Sequence, residues 1–257
     1  MKVIPIPCLN DNFAYLLICP ETNEAAVVDP SEYEPVFKEV QNRKVTLTTI
    51  FNTHHHWDHV GGNDELSRHI PGIKIHAHTS DRDRVPGQTD FLDDGDLVQF
   101  GNQKGSILHN PGHTSGAITY LFGNMAFTGD TLFSGGCGRV FEGTMEQMHH
   151  SLNVKIGKLP DDTQLFFGHE YTENNLCFAQ TLEPINEDIQ SQLTQIRKVR
   201  SEGKWSTPSL LSSERKINPF LRCHDQALQK HVIQKQPDTN LDPVSIFTVI
   251  RKLKDQF

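Results

Sequence analysis

Along roughly the first two thirds of the chain, hydrophobic residues come in short runs broken by Gly, Pro and Asp. The runs Phe13 to Ile18, Ala25 to Val28, Val45 to Phe51, Ile73 to His76, Ser106 to His109, Ile118 to Phe122, Met125 to Thr128 and Gln164 to Phe167 are rich in β-branched and aromatic residues, which predicts strands. Between them, helices are predicted at Glu34 to Gln41, at Asp64 to His69 before Pro71-Gly72, and at Met145 to Lys158 before Pro160. Strands with interspersed helices imply a layered α/β or α+β domain. Beyond about Tyr171 the texture changes, with Glu, Gln, Lys, Arg and Leu at helical spacing over Glu173 to Leu182, Ile185 to Glu202, Asp225 to Lys235 and Pro243 to Lys254. The expectation is a first domain over 1–170 and a helical one over 171–257, with Ser206 to Pro219 a loop between helices. No Gly- or Ser-rich linker separates the halves, so the helices should pack directly on the first domain.

Composition narrows the class. The 257 residues suffice for a sizeable core, and 36% hydrophobic and 22% charged residues are ordinary for a globular protein. No run approaches the roughly eighteen apolar residues of a membrane span, and Met1-Lys2-Val3-Ile4-Pro5 lacks the features of a signal peptide. A cytoplasmic protein without a membrane partner is expected. Five scattered cysteines without C-x-x-C fit reduced thiols better than a disulfide framework. The net charge of -8 argues against nucleic acid as a partner, and no coiled-coil pattern asks for a second copy, so a monomer is expected.

Fourteen histidines are the one unusual count. Four of them fall in Thr53-His54-His55-His56-Trp57-Asp58-His59, where His54, His56, Asp58 and His59 follow H-x-H-x-D-H. Alternating residues of such a loop can converge on one ion while the next pair faces a second, and imidazole with carboxylate suits zinc, iron or manganese. Alone, the motif also fits a solvated histidine-rich loop. Three further strand ends run straight into a His or Asp: His113 after Asn110-Pro111-Gly112, Asp130 after Gly129, and His169 after Gly168. Loops on a rigid sheet are where binding residues usually sit. The set His54, His56, Asp58, His59, His113, Asp130 and His169 exceeds what one tetrahedral ion accepts. Two divalent ions fit, one on His54, His56 and His113 and one on Asp58, His59 and His169, with Asp130 bridging through its two oxygens. Asp29 is read as a carboxylate that accepts a hydrogen bond from a ligating imidazole.

These residues resemble the metallo-β-lactamase superfamily, through T-H-H-H-W-D-H, P-G-H-T, G-D and G-H-E in order. Within it the chain is similar to the glyoxalase II (hydroxyacylglutathione hydrolase) family, through Gly136-Cys137-Gly138-Arg139, Phe141-Glu142-Gly143-Thr144, Gly168-His169-Glu170-Tyr171-Thr172, Asn218-Pro219-Phe220-Leu221-Arg222 and Lys254-Asp255-Gln256-Phe257. The resemblance implies a four-layer αββα sandwich with a C-terminal helical domain, and hydrolysis of S-D-lactoylglutathione to D-lactate and glutathione by a hydroxide bridging the two metals, most simply zinc. Asp58 and Asp130 would be the catalytic carboxylates. Arg139, His169, Glu170, Tyr171, Arg251 and Lys254 would bind the glutathione part; Arg251 and Lys254, spaced i,i+3, share a helix face and could grip one carboxylate. This chain has Phe141 where many relatives carry Tyr, and Arg139 where Lys is common.

Rival activities share parts of this pattern. A β-lactamase typically lacks the bridging Asp. A phosphodiesterase or RNA-processing nuclease can share all seven ligands, but the acidic charge and the Lys254-Asp255-Gln256-Phe257 end count against it. A mononuclear iron persulfide dioxygenase also takes a glutathione derivative, and a metal-binding scaffold without catalysis is the remaining alternative.

Overall fold

The computed structural model describes all 257 residues. In chain order the strands are β1 Lys2–Cys8, β2 Asn12–Ile18, β3 Glu24–Val28, β4 Thr46–Phe51, β5 Lys74–His78, β6 Asp90–Leu92, β7 Leu97–Phe100, β8 Gln103–His109, β9 Ile118–Phe122, β10 Met125–Gly129, β11 Leu132–Phe133, β12 Gly136–Cys137, β13 Gln164–Phe167 and β14 Ser209–Leu210. The helices are α1 Tyr33–Arg43, α2 Trp57–Val60, α3 Asn63–His69, α4 Met145–His150, α5 Thr172–Leu182, α6 Glu187–Ser201, α7 Leu211–Ile217, α8 Gln226–Lys235 and α9 Pro243–Asp255.

Two six-stranded sheets stack, one ordered β1-β2-β3-β4-β5-β6 and the other β14-β13-β10-β9-β8-β7. Strand β2 is buried at every position, so its two faces must both be apolar. Phe13, Tyr15 and Leu17 face the second sheet, while Ala14, Leu16 and Ile18 face the layer holding Val36 and Val40 of α1. The second sheet alternates likewise: Phe127 joins the inter-sheet core, and Ala126 and Leu165 turn outward onto Met148, Leu152 and the C-terminal helices. The result is the αββα sandwich, with Phe178, Leu228 and Phe247 of the helical region sharing one core with the second sheet. No helix is long and apolar enough to cross a membrane.

Two tyrosines pin the sheets together. The Tyr15 hydroxyl donates to the Phe167 carbonyl (2.6 Å), and the Tyr120 hydroxyl donates to the carbonyls of Asn52 and His76, 3.0 Å each. The second pin sits directly beneath the loop that follows β4. At the same end of the sandwich, the Phe13 amide donates to the Gly168 carbonyl and the Glu170 amide to the Asp11 carbonyl, 2.8 Å each, joining the start of β2 to the end of β13.

Local departures from the sequence pattern have identifiable causes. Strand β1 carries Pro5 and Pro7, which hide it from propensity, yet as an edge strand it needs hydrogen bonds on one side only. The helix expected over Met145 to Lys158 is α-helical only to His150, then widens to a π turn and tightens to a 3-10 turn; Ser151 Oγ donates to the Pro111 carbonyl at 2.8 Å in this stretch. The stretch Ser206 to Pro219, expected as a loop, instead holds β14 and α7. Tertiary contacts override its polar composition: Leu211 and Ile217 are buried, and the buried Glu214 carboxylate accepts from Ser134 Oγ and the Gly135 amide, both at 2.7 Å. Burial pushes the Glu214 carboxyl above its usual range despite these donors. Glu214→Ala would strand both donors and leave a cavity, and is expected to lower the unfolding free energy by about 3 kcal/mol in urea denaturation.

Candidate metal centre

The parallel strands β3, β4 and β5, and β10 beside β13, all end at the same pole of the sandwich. Ligands in open α/β sheets sit beyond the carboxyl ends of strands, and the expected set gathers here. The His54–His59 segment follows β4, His113 lies between β8 and β9, Asp130 follows β10, and His169 follows β13. Glycines permit the approach: a Cβ on Gly168 would collide with Asp130 Oδ1 and lie 2.8 Å from His59 Cε1.

The first cluster is three imidazoles. His56 Nδ1 lies 3.0 Å from both His54 Nε2 and His113 Nε2. Hydrogen-bond partners decide where the protons are. His113 Nδ1 donates to the Arg139 carbonyl (2.8 Å), and Thr53 Oγ1, which gives its own proton to Asp29 Oδ2 (2.6 Å), accepts from His54 Nδ1 (3.1 Å). His54 and His113 therefore both present bare Nε2 lone pairs, and a proton on His56 Nδ1 satisfies only one of them. Burial, together with His59, pushes His54 well below its ordinary pKa; burial and His113 push His56 down to about 4; burial also lowers His113 against the pull of Asp130. Three convergent ring nitrogens that share at most one proton could hold a cation.

The second cluster is anionic. His59 Nε2 and His169 Nε2 are 3.3 Å apart, with Asp130 Oδ1 3.3 Å from His59 Nε2, and Asp130 Oδ2 and Asp58 Oδ2 at 3.2 and 3.4 Å from His169 Nε2. Each imidazole is oriented from behind, His59 Nδ1 by Asp29 Oδ2 (3.0 Å) and His169 Nδ1 by Asp11 Oδ1 (2.9 Å). Burial opposes charge on both histidines, but Asp130 outweighs it and raises them; reciprocally, His59 and His169 hold the buried Asp130 carboxyl well below the carboxylate range. The field thus favours positive charge between these groups, as protons or as the metal that displaces them. Asp130 Oδ2 is also 3.6 Å from His113 Nε2, so this one carboxylate reaches both clusters. Asp29 could be counted as a donor with His54 and His59. Its oxygens are already taken by the Thr53 amide (2.7 Å), the Thr53 hydroxyl and His59, so it orients rather than ligates.

A cavity of about 600 Å³ opens from His113 and Asp130 between Arg139, Phe141, Tyr171 and the α9 residues Arg251 and Lys254. The Tyr171 ring lies flat on His169, centroids 4.7 Å apart at 4°. Lys254 contacts the Asn174 side chain, and burial with Arg251 nearby pushes its ammonium down to about 8. Arg251 faces the cavity but is partly committed: it donates to the Cys137 carbonyl (2.7 Å) and pairs with Asp255 (3.1 Å), leaving Nε without a partner. Glu170, expected to touch substrate, is not among the residues lining the cavity and accepts from the Ser206 amide (2.9 Å) and hydroxyl (2.6 Å). Asp11 and Asn12, whose amide donates to Asp58 (3.1 Å), escaped sequence reasoning. They lie in an ordinary Asn-Asp-Asn turn, and no spacing connects it to His169.

Fold and donor set together define a member of the metallo-β-lactamase class. The sequence model described as Metallo-beta-lactamase superfamily matches residues 11–169, and that described as Hydroxyacylglutathione hydrolase C-terminus matches residues 170–257. Curated hydroxyacylglutathione hydrolases from Gloeothece citriformis and from a Synechococcus strain are each 46% identical, with all of both chains covered. The crystal structure of ETHE1 from Myxococcus xanthus, 24% identical, superposes with a TM-score of 0.68 over 99% of this chain and 98% of that one, and shows the shared fold. The chain belongs to the hydroxyacylglutathione hydrolase family.

Because Gly168 admits Asp130, Gly168→Ala is expected to weaken divalent-metal retention about 10–100-fold in chelator competition, the range for positions that orient ligands, with circular dichroism unchanged.

Proposed function

We propose that this chain hydrolyses the thioester of S-(2-hydroxyacyl)glutathione, chiefly S-D-lactoylglutathione, releasing D-lactate and glutathione and so serving methylglyoxal detoxification. The observation that carries the reading is that two convergent donor clusters adjoin, through His113 of the first and the shared Asp130, a cavity ending in Arg139, Arg251 and Lys254. In this reading His54, His56 and His113 hold one divalent ion, Asp58, His59 and His169 a second, and Asp130 serves both. Zinc is favoured, while iron and manganese also suit nitrogen and oxygen donors. Such ions, when bound, lower the pKa of coordinated water to near neutrality and polarise a carbonyl oxygen.

The remaining roles belong to the chain. Asp29 and Asp11 hold His59 and His169 with their Nε2 atoms inward. Asp58 and Asp130 supply the negative charge that keeps the centre from being purely imidazole. A thiolate leaves readily, since a thiol pKa is about 8.5, so no separate general acid is needed. At the cavity's far side, Lys254 and Arg139 offer positive charge to the carboxylates of glutathione, with the buried Arg251 adding to the local positive field, and Tyr171, its proton held tightly by burial and by Asp11, can donate to the peptide. Residues 1–170 then form the metal-binding catalytic part and 171–257 the helical part that recognises substrate. A cytoplasmic monomer is part of the same reading, and all five cysteines are free.

Metallated protein should cleave S-D-lactoylglutathione but neither a β-lactam nor a phosphodiester when the three are assayed side by side; absence of thioesterase activity at full metal content would overturn the proposal. A second expectation concerns pH. Lys254 is charged below about 8 and neutral above, so KM for the anionic substrate should rise as pH climbs through that value with kcat less affected. Lys254→Arg, charged across the whole range, should flatten the rise.

A further inference from the structure

One group of charged side chains outside the metal centre remains without a role. His55, between ligands His54 and His56, points away from the clusters: its Nδ1 is 3.2 Å from Asp81 Oδ1 and its Nε2 is 3.4 Å from Glu142 Oε1. Arg84 fills the space between these carboxylates, donating through Nη2 to Asp81 Oδ1 and through Nη1 to Glu142 Oε1, 2.6 Å each. Arg84 Nη2 also reaches Ser115 Oγ at 3.0 Å, and Glu142 Oε2 accepts from the Ser115 amide and hydroxyl, 2.8 Å each. Ser115 is two residues beyond ligand His113. Glu142 follows Phe141, whose ring centroid lies 5.3 Å from that of His113 and 5.9 Å from that of His56.

The network therefore grips, from outside, the loop of His113 through Ser115 and the Thr53–His59 segment at His55, between His54 and His56, and although that segment continues to Asp58 and His59 the network has no hydrogen bond to Asp58, His59, Asp130 or His169. Asp58, His59 and His169 are braced separately by Asn12, Asp29 and Asp11. We infer that Arg84 and Glu142 are positioning residues that set the metal affinity of the His54, His56 and His113 cluster independently of the second cluster. The physical reason is geometric. The three-imidazole cluster has no carboxylate of its own and shares Asp130, 3.6 Å from His113 Nε2, with the second cluster, so its affinity depends more on holding three nitrogens at coordination distance. The Arg84–Glu142 pair, fixed by five charge-assisted bonds or contacts through Asp81 and Ser115, supplies that stiffness.

The inference rests on the two-ion reading, and one titration separates them. Metal-free protein is titrated with zinc against a chromophoric chelator, with thermal melting of the metal-free form recorded in parallel. Wild type should bind two equivalents; binding of one would overturn the two-ion reading and this inference with it. Glu142→Gln and Arg84→Met should leave one equivalent at wild-type affinity and weaken the other about 10–100-fold, with the metal-free melting temperature little changed. Weakening of both equivalents alike, or of neither, in a protein that does bind two would overturn the inference alone. Should either variant fail to fold, Ser115→Ala removes one bond to each partner while keeping both charges, and should weaken the same single equivalent by a smaller factor; no selective loss there overturns the proposal equally. Arg84→Lys, which keeps the charge but not the fork, should recover only part of the affinity.

Discussion

Acceptor atoms forced together in a dry place are the constraint on which this structure turns. At one pole of the sandwich, imidazole nitrogens and carboxylate oxygens from four strand ends lie within 3.0–3.6 Å of one another with few protons to share. Such an arrangement is repulsive unless positive charge enters, and it survives because most of the groups are held from behind. Asp29, Asp11, the Arg139 carbonyl and Thr53 fix ring orientations, and Tyr120 ties the sheet beneath. The buried strands make this possible by leaving the backbone at that pole no freedom to relax.

The two clusters solve the same problem differently. In the three-imidazole cluster burial lowers the pKa of each ring and the nearest carboxylate, Asp130, is shared, so geometry carries more of the attraction. The Asp58, His59 and His169 cluster carries anionic charge, and its histidines are drawn toward the charged form by Asp130. One side thus offers three imidazoles and the other carboxylates with their imidazoles, with the Asp130 carboxylate shared between them.

Much of the site was legible in the sequence because ligand residues fall immediately after apolar runs, and a strand end is a local feature. His54, His56, Asp58, His59, His113, Asp130 and His169 all arrive by that route. A layered α/β domain was legible from the runs and its αββα order from the resemblance, though β1 was masked by its prolines and α7 by a polar stretch that only burial makes helical. What stayed hidden was pairing over long separations. Asp11 meets His169 across 158 positions and Arg84 meets Glu142 across 58. Glu170 misled for the opposite reason, since adjacency to a ligand says nothing of which side of the chain a residue faces.

The ligands' distribution over both sheets also has a consequence for the chain as a polymer. An ion held by His59 and His169 joins positions 110 residues apart, and with them the two sheets. It acts as a topological cross-link, closing a loop whose entropy in the unfolded chain would fall by an amount worth about 4–5 kcal/mol on the scale established for disulfides of that span. In a chain whose cysteines all stand free, such an ion would serve at once as reactive centre and as the staple that disulfides provide in secreted proteins, so that loss of metal would cost stability as well as turnover.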